Sequence, residues 1–270
     1  MLAEISASCA LAIAGAMLAL WLLSLALRDA SIVDVWWGPG IALAALVALL
    51  SVDIAPARSL LLASLAGLWG LRLGGYLLWR NAGHGEDPRY RAMRRHWGAR
   101  FPWVSLATVF GLQGLLQWVV SLPLQVGIAV PGVAPLGALD AIGAVLFGGG
   151  LGFEALGDFQ LARFKADPAN AGRVMDRGLW RYTRHPNYFG DALAHWGLFA
   201  IALATPFGWM TALSPVSMTF LLLRVSGVAL LERSIGKRRP EYAEYQRRTS
   251  AFLPMRPRGR RRRASAPPAR

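Results

Sequence analysis

Apolar residues run along this chain in blocks of about 20, the length a helix needs to cross the hydrocarbon core of a bilayer. Seven such windows fall at 6–27, 32–51, 58–79, 103–128, 135–157, 187–205 and 209–231. Two long polar connections, 80–102 and 159–186, interrupt them, and a basic segment follows the last window. The pattern predicts an all-α integral membrane protein. Residues 1–254 form a seven-transmembrane helix bundle whose cytoplasmic loops close a polar cavity, and 255–270 form a disordered basic tail. The first window reads as a retained span and not a signal peptide, because no positive side chain precedes it and its apolar core is longer than an h-region.

Composition agrees with this pattern. Hydrophobic residues make up 55% of the chain and charged residues 16%, whereas a soluble domain is about a quarter charged. The 29 Lys and Arg against 15 Asp and Glu would suggest a nucleic-acid partner in a soluble protein. Here the excess is concentrated instead: six basic residues in each long connection and thirteen from residue 232 onward. With seven spans all three segments face one side, so the positive-inside rule puts them and the C-terminus in the cytoplasm, with the N-terminus outside. No nucleic-acid partner is expected. Cys9 is the sole cysteine, which excludes an internal disulfide, and the histidines at 84, 96, 185 and 195 lack metal-site spacing.

Ionisable residues inside spans are costly and therefore mark candidate chemistry. Asp34, Glu154, Asp158 and Asp191 all fall in the cytoplasmic part of their windows. They hold a ligand, or they pair with Arg72 and Arg224 to hold the bundle together. The stretch "RGLWRYTRHPNYFGDALAHWG" is the densest in polar groups. Pro186 suits a first helical position with His185 near the N-cap, and free N–H groups there favour anions. Arg173, Arg177, Arg181 and Arg184 precede it, a density that suits phosphate or plain membrane anchoring. Asn187 and Asp191, four residues apart, share a helix face with His195 one turn further. In "GHGEDPRYRAMRRHWG", Asp87 before Pro88 predicts an N-cap and a short helix to about Trp97. Glu86, Asp87, Arg89 and Tyr90 there either bind a ligand or fold the loop.

The segments "GLWRYTRHPNYFGDALAHWG" and "EYAEYQRRTSAFLP" resemble the C-terminal region of the steroid 5-alpha-reductase superfamily. "SIVDVWWGPG" and "GEDPRY" resemble its large uncharacterised bacterial branch, and the likeness extends over 31–254. The resemblance implies a bacterial inner-membrane enzyme that uses NADPH to reduce an activated carbon–carbon double bond in a lipophilic substrate: steroid-like, isoprenoid or a lipid enone. By motif it implies cofactor contacts from Asp158, Lys165, Arg173, Arg184, His185, Asn187, Tyr188 and Asp191. Arg80 is a further contact, and Glu232, Tyr242 and Tyr245 belong to a closing helix.

The steroid reductases hold the substrate carbonyl with a Gln-Glu pair that this chain lacks, and Asp34, Trp36 and Trp37 occupy that region. Asp34 is the first catalytic candidate, because a carboxyl among apolar residues could stay protonated and donate. The alternative is an ion pair with Arg28 or Arg72. Tyr76 is the second candidate, since a phenol can donate and accept. Two other readings stay open. The same Arg-His-Pro motif resembles S-adenosylmethionine-dependent isoprenylcysteine and phospholipid methyltransferases, and a non-catalytic lipid-binding protein could keep only the architecture.

Overall fold

The structure is a computed structural model and describes residues 1–130, 135–225, 227, 228, 232 and 241–258. The end of the seventh window and the basic tail beyond residue 258 lie outside the described residues. All regular elements described are helical, with one isolated parallel bridge between Thr183 and Ser250. Five helical stretches are long and apolar enough to cross a membrane: Leu2–Leu27, Ala57–Asn81, Pro88–Val120, Ala138–Ala166 and Gly208–Val225.

The other two expected spans are shorter. The second window begins as α2 (Ile32–Val35), following α1 (Leu2–Leu27), and restarts as the 14-residue α3 (Trp37–Leu50). Pro39 lacks a backbone N–H, so a helix must begin afresh near it. At 1.5 Å per residue α3 is about 21 Å long, below the ~30 Å core. The sixth window becomes α10 (Pro186–Ala202), 17 residues and about 26 Å. It ends where Thr205 Oγ1 donates to the Ala202 carbonyl at 2.6 Å, ahead of Pro206. Seven crossings are therefore not established by length and composition.

The chain divides into two compact units, the first built from residues 1–148 and 194–218, the second from 149–193 and 219 onward. In the first unit α1 buries Ile5, Cys9, Ile13, Met17 and Trp21, one residue per turn. Cys9 is a small packing residue whose Sγ lies 3.5 Å from the Ala44 carbonyl. Helix α3 meets α4 (Ala57–Asn81) backbone to backbone, because a Cβ on Gly38 would lie 2.3 Å from the Gly70 carbonyl oxygen. Close approach of this kind replaces the hydrophobic driving force that lipid does not supply.

Next come α5 (Pro88–Trp97), α6 (Phe101–Ser105), a π turn at Leu106–Gly111, α7 (Leu112–Val120) and α8 (Leu122–Ala129). Helix α9 (Ala138–Ala166) starts beside a buried ion pair: Asp140 accepts from Arg58 Nε at 2.7 Å and Nη2 at 2.8 Å. Leaving either partner alone would strand a buried charge. Helix α11 (Leu213–Phe220) is joined to α7 by Ser214 Oγ, which donates to the Val120 carbonyl at 2.6 Å.

In the second unit the later part of α9 lies against the first turns of α10. A Cβ on Gly190 would fall 2.5 Å from the Gly150 carbonyl oxygen and 2.4 Å from the Glu154 nitrogen. The unit's last helix is α12 (Tyr242–Arg248).

Candidate functional site

The connection between α9 and α10 is held in place by its own polar groups. Trp180 Nε1 donates to the Gly157 carbonyl at 3.0 Å, and Gln160 Oε1 accepts from the Leu179 N–H at 2.9 Å. The segment after α12 returns alongside: Arg184 N–H donates to the Ser250 carbonyl at 2.9 Å and Thr183 Oγ1 to the Phe252 carbonyl at 2.8 Å. Tyr245 closes the join by donating its hydroxyl to the Trp180 carbonyl.

At the centre of the unit sits Glu232. Its carboxylate accepts from Arg184 Nε at 2.7 Å and Nη2 at 3.0 Å, from Gln246 Nε2 at 3.0 Å and from the Tyr242 hydroxyl at 3.4 Å. His185 Nε2 lies 3.2 Å away, its ring stacked on Tyr188. Burial alone would raise the Glu232 carboxyl, but hydrogen bonds from His185 and Arg184 outweigh it and bring the group down to about 2. Burial, and then the Glu232 charge, push the Tyr242 phenol up. Burial and the neighbouring Tyr242 do the same to Tyr245. Arg184 spends its other Nη on the carbonyls of Gln246 and Thr249. The arginine that the sequence offers for phosphate therefore serves as a tie within the unit.

Beside this knot, the α9–α10 face carries Asp158, Asn187, Asp191 and Glu154, three of them carboxylic acids that are buried. Asn187 Nδ2 donates to Asp158 Oδ1 at 3.1 Å. That bond turns Asn187 Oδ1 the other way, where it is buried and makes no hydrogen bond among the described residues. Lys165 and Arg173 are exposed. Arg173 lines a pocket of about 460 Å³ with Asp176, Glu241, Glu244 and Tyr245. Eleven of the twelve expected cofactor residues thus lie in one unit. Arg80 belongs to the other, where it is exposed and packs over Tyr76.

The first unit holds a second polar cluster. Asp87 caps α5 as the sequence predicts, accepting from the Arg89 N–H at 2.8 Å. Burial works against its ionisation, but the hydrogen bonds from Arg89 hold Asp87 below the usual carboxylate range. Glu86 behaves likewise, burial being outweighed by Arg94 and by the Ala30 N–H. This loop reaches α2: Arg89 Nη2 donates to Asp34 Oδ2 and the Tyr90 hydroxyl to Asp34 Oδ1, each at 2.8 Å. Asp34 is therefore paired with Arg89, not with Arg28 or Arg72. Both of its carboxyl oxygens face donors in this arrangement.

Two residues that the sequence reading passed over complete this cluster. Gln113 Nε2 donates to the Tyr90 hydroxyl at 3.2 Å, and Gln113 Oε1 accepts from Trp37 Nε1 at 2.6 Å. Gln117, one turn on, is fully buried against Gly40. The signal in the sequence is two neutral amides four residues apart in an apolar window, which ionisable side chains alone do not mark. Tyr76 has different surroundings: Arg72 and Arg80 lie 5.5 Å and 5.8 Å from its ring. Gly74 faces Pro39 and the Val35 carbonyl, and two residues along a helix is about 200° of rotation. Tyr76 consequently leaves α4 on the side away from α2.

Comparison with curated proteins and with solved structures returned no match. One family model, DUF1295, described as a protein of unknown function, matches residues 20–249. That family is related to steroid 5-alpha-reductase-like membrane proteins. With 85% of its length inside the match, counted as 230 of 270 residues, the chain belongs to the DUF1295 family.

Proposed function

We propose that the protein is a membrane-embedded, NADPH-dependent reductase of an activated carbon–carbon double bond in a lipophilic substrate, acting in a bacterial inner membrane. The observation that carries this reading is the Asn187 carbonyl oxygen, a buried acceptor that makes no hydrogen bond among the described residues, beside the Asp158 carboxylate that orients its amide. Such an acceptor suits an amide N–H or a ribose hydroxyl, and leaving it unmet is costly. Exposed Lys165 and Arg173 offer positive charge for the phosphates. When bound, the dinucleotide supplies a hydride.

The chain's own residues supply placement and a proton. The Glu232 knot keeps α12 and the α9–α10 connection in register, which fixes where Tyr188 and Asn187 stand. In the first unit Tyr90 is the proton source in this reading: its one hydrogen, donated to Asp34 in this structure, passes to the substrate instead, and Gln113 donates to the phenol oxygen as charge develops there. Asp34 is a positioning residue in this scheme. Glu232 also bears on the methyltransferase alternative, which needs a late glutamate free to contact S-adenosylmethionine. Here Arg184, Gln246, Tyr242 and His185 already surround that carboxylate.

Calorimetry on the purified protein with NADPH, NADH and S-adenosylmethionine tests the reading. NADPH should bind more tightly than NADH, since its extra phosphate gains a charged partner. Tighter binding of S-adenosylmethionine would replace the reductase assignment with the methyltransferase one.

A further inference from the structure

A pocket of about 540 Å³ opens in the second unit between the α9–α10 connection and the segment after α12. Its walls include Asp176, Arg177, Arg181, Arg248, Thr249 and Arg258. The single carboxylate is already engaged, because Arg248 Nη2 donates to Asp176 Oδ2. Arg177, Arg181 and Arg258 form no ion pair among the described residues. Arg248 Nε is buried and makes no hydrogen bond among them either. Three guanidinium forks and an unmet N–H around one cavity call for an oxyanion, above all a phosphate. None of the residues assigned to the dinucleotide lines this pocket.

Two features identify the carrier of that phosphate. The first is depth. Helix α9 has 29 residues, or about 43 Å, and so overruns the ~30 Å hydrocarbon core by the thickness of a headgroup layer. The pocket's loop is pinned to Gly157 and Gln160, six to nine residues before the end of that helix. Gly157 also closes the apolar window of this helix, so the loop is pinned to its polar end. The second is the chain next to the pocket's residues. Tyr182, Leu253 and Met255 are exposed, and Met255 N–H donates to the Tyr182 carbonyl at 3.0 Å. An arginine pocket at the polar end of an apolar helix, with exposed apolar side chains one to four residues along the chain from its lining, matches a lipid better than a solute in water.

We propose that this pocket binds the phosphate of an anionic phospholipid headgroup. The proposal does not rest on the reductase reading.

The test is native mass spectrometry of the full chain in detergent with phosphatidylglycerol or phosphatidylcholine. Phosphatidylglycerol should be retained in preference, and R181Q/R258Q should cut that preference by about tenfold. A full-length variant with Arg260, Arg261, Arg262 and Arg263 changed to Gln should keep it. Unchanged preference in a normally melting R181Q/R258Q protein, or preference lost with the four tail arginines alone, would overturn the assignment. So would binding of inorganic phosphate that depends on Arg181 and Arg258 while the two lipids are retained equally. Should R181Q/R258Q fail to fold, R181K/R258K decides. It keeps the charge but loses the forks, so the preference should fall several-fold, and a wild-type preference there sinks the idea.

Discussion

Arg184 grips Glu232 with two parallel hydrogen bonds, Nε to Oε1 and Nη2 to Oε2, across 48 residues of chain. The same guanidinium caps the Gln246 and Thr249 carbonyls at the end of α12. R184M should therefore cost about 3–5 kcal/mol, the range for stranding one member of a buried pair. R184K should cost less but not be neutral, since an ammonium cannot serve both oxygens and both carbonyls at once. Thermal unfolding in detergent reads this directly. Equal melting temperatures for R184K and wild type would mean that the fork carries no weight.

The same pair makes stability depend on acid. Glu232 titrates at about 2 against an ordinary value of 4.5. A carboxyl whose folded value is depressed stabilises fully above its unfolded value and loses that contribution as pH falls through the folded one. The loss should run from about pH 4.5 downward and amount to at most about 3 kcal/mol. Melting curves of wild type and E232Q should converge over that window. A constant difference between them down to pH 3 would exclude the pair as the cause.

Asn187 and Asp191 are one helical turn apart on α10. N187A and D191A should each weaken NADPH binding by about 1–3 kcal/mol. N187D should weaken it further, because a second carboxylate would stand where the amide now donates to Asp158. Calorimetry is the measurement. Unaltered affinity together with lowered melting temperature would reduce both residues to packing.

Catalysis should follow Tyr90. Y90F and D34N are expected to abolish NADPH oxidation against a panel of enones while leaving NADPH affinity intact, and Q113A to slow it by about tenfold. Y76F separates the sequence-derived alternative. Turnover lost in Y76F and retained in Y90F would move the donor to α4.

Helix contact at Gly190 is close enough to test by one methyl. G190A should destabilise the protein by about 1–3 kcal/mol through overpacking against Gly150 and Glu154. On α4, Gly75 has nothing within 4 Å of its missing Cβ, so G75A should be neutral or stabilising by up to about 1 kcal/mol. Similar melting temperatures for the two variants would contradict the contact at Gly190.

Features decided by neighbouring residues were legible in the sequence. Asp87 caps a helix that starts at Pro88 and ends at Trp97, and Pro186 starts α10, because capping and proline geometry act within a turn. The polar faces were legible as faces, since Asn187 and Asp191 follow from helical spacing. Partners were not. Asp34 could have met any of several arginines, and the pairing with Arg89 depends on a loop 55 residues away folding onto α2. Arg184 reads as a phosphate ligand by density and becomes a structural tie only when Glu232 arrives. The second window failed as one long helix because hydropathy does not register the missing N–H of Pro39.

The π turn at Leu106–Gly111 sets which way Gln113 points. Leu112 N–H reaches back to the Ala107 carbonyl, five residues and not four, so the turn absorbs one residue more than an α-helix would. Each residue is worth about 100° of rotation. The turn thus acts as a phase adjuster between α6, whose Phe101 ring lies under Arg94 of α5, and α7, which brings Gln113 to Tyr90 and buries Gln117 against α3. Counted in unbroken α periodicity from Phe101, both amides would sit about a quarter turn off their partners. Removing one residue from 106–111 and letting the segment close as α-helix should leave the two helices in phase. Inserting one elsewhere in α7, with no such turn to take it up, should swing Gln117 out of the core.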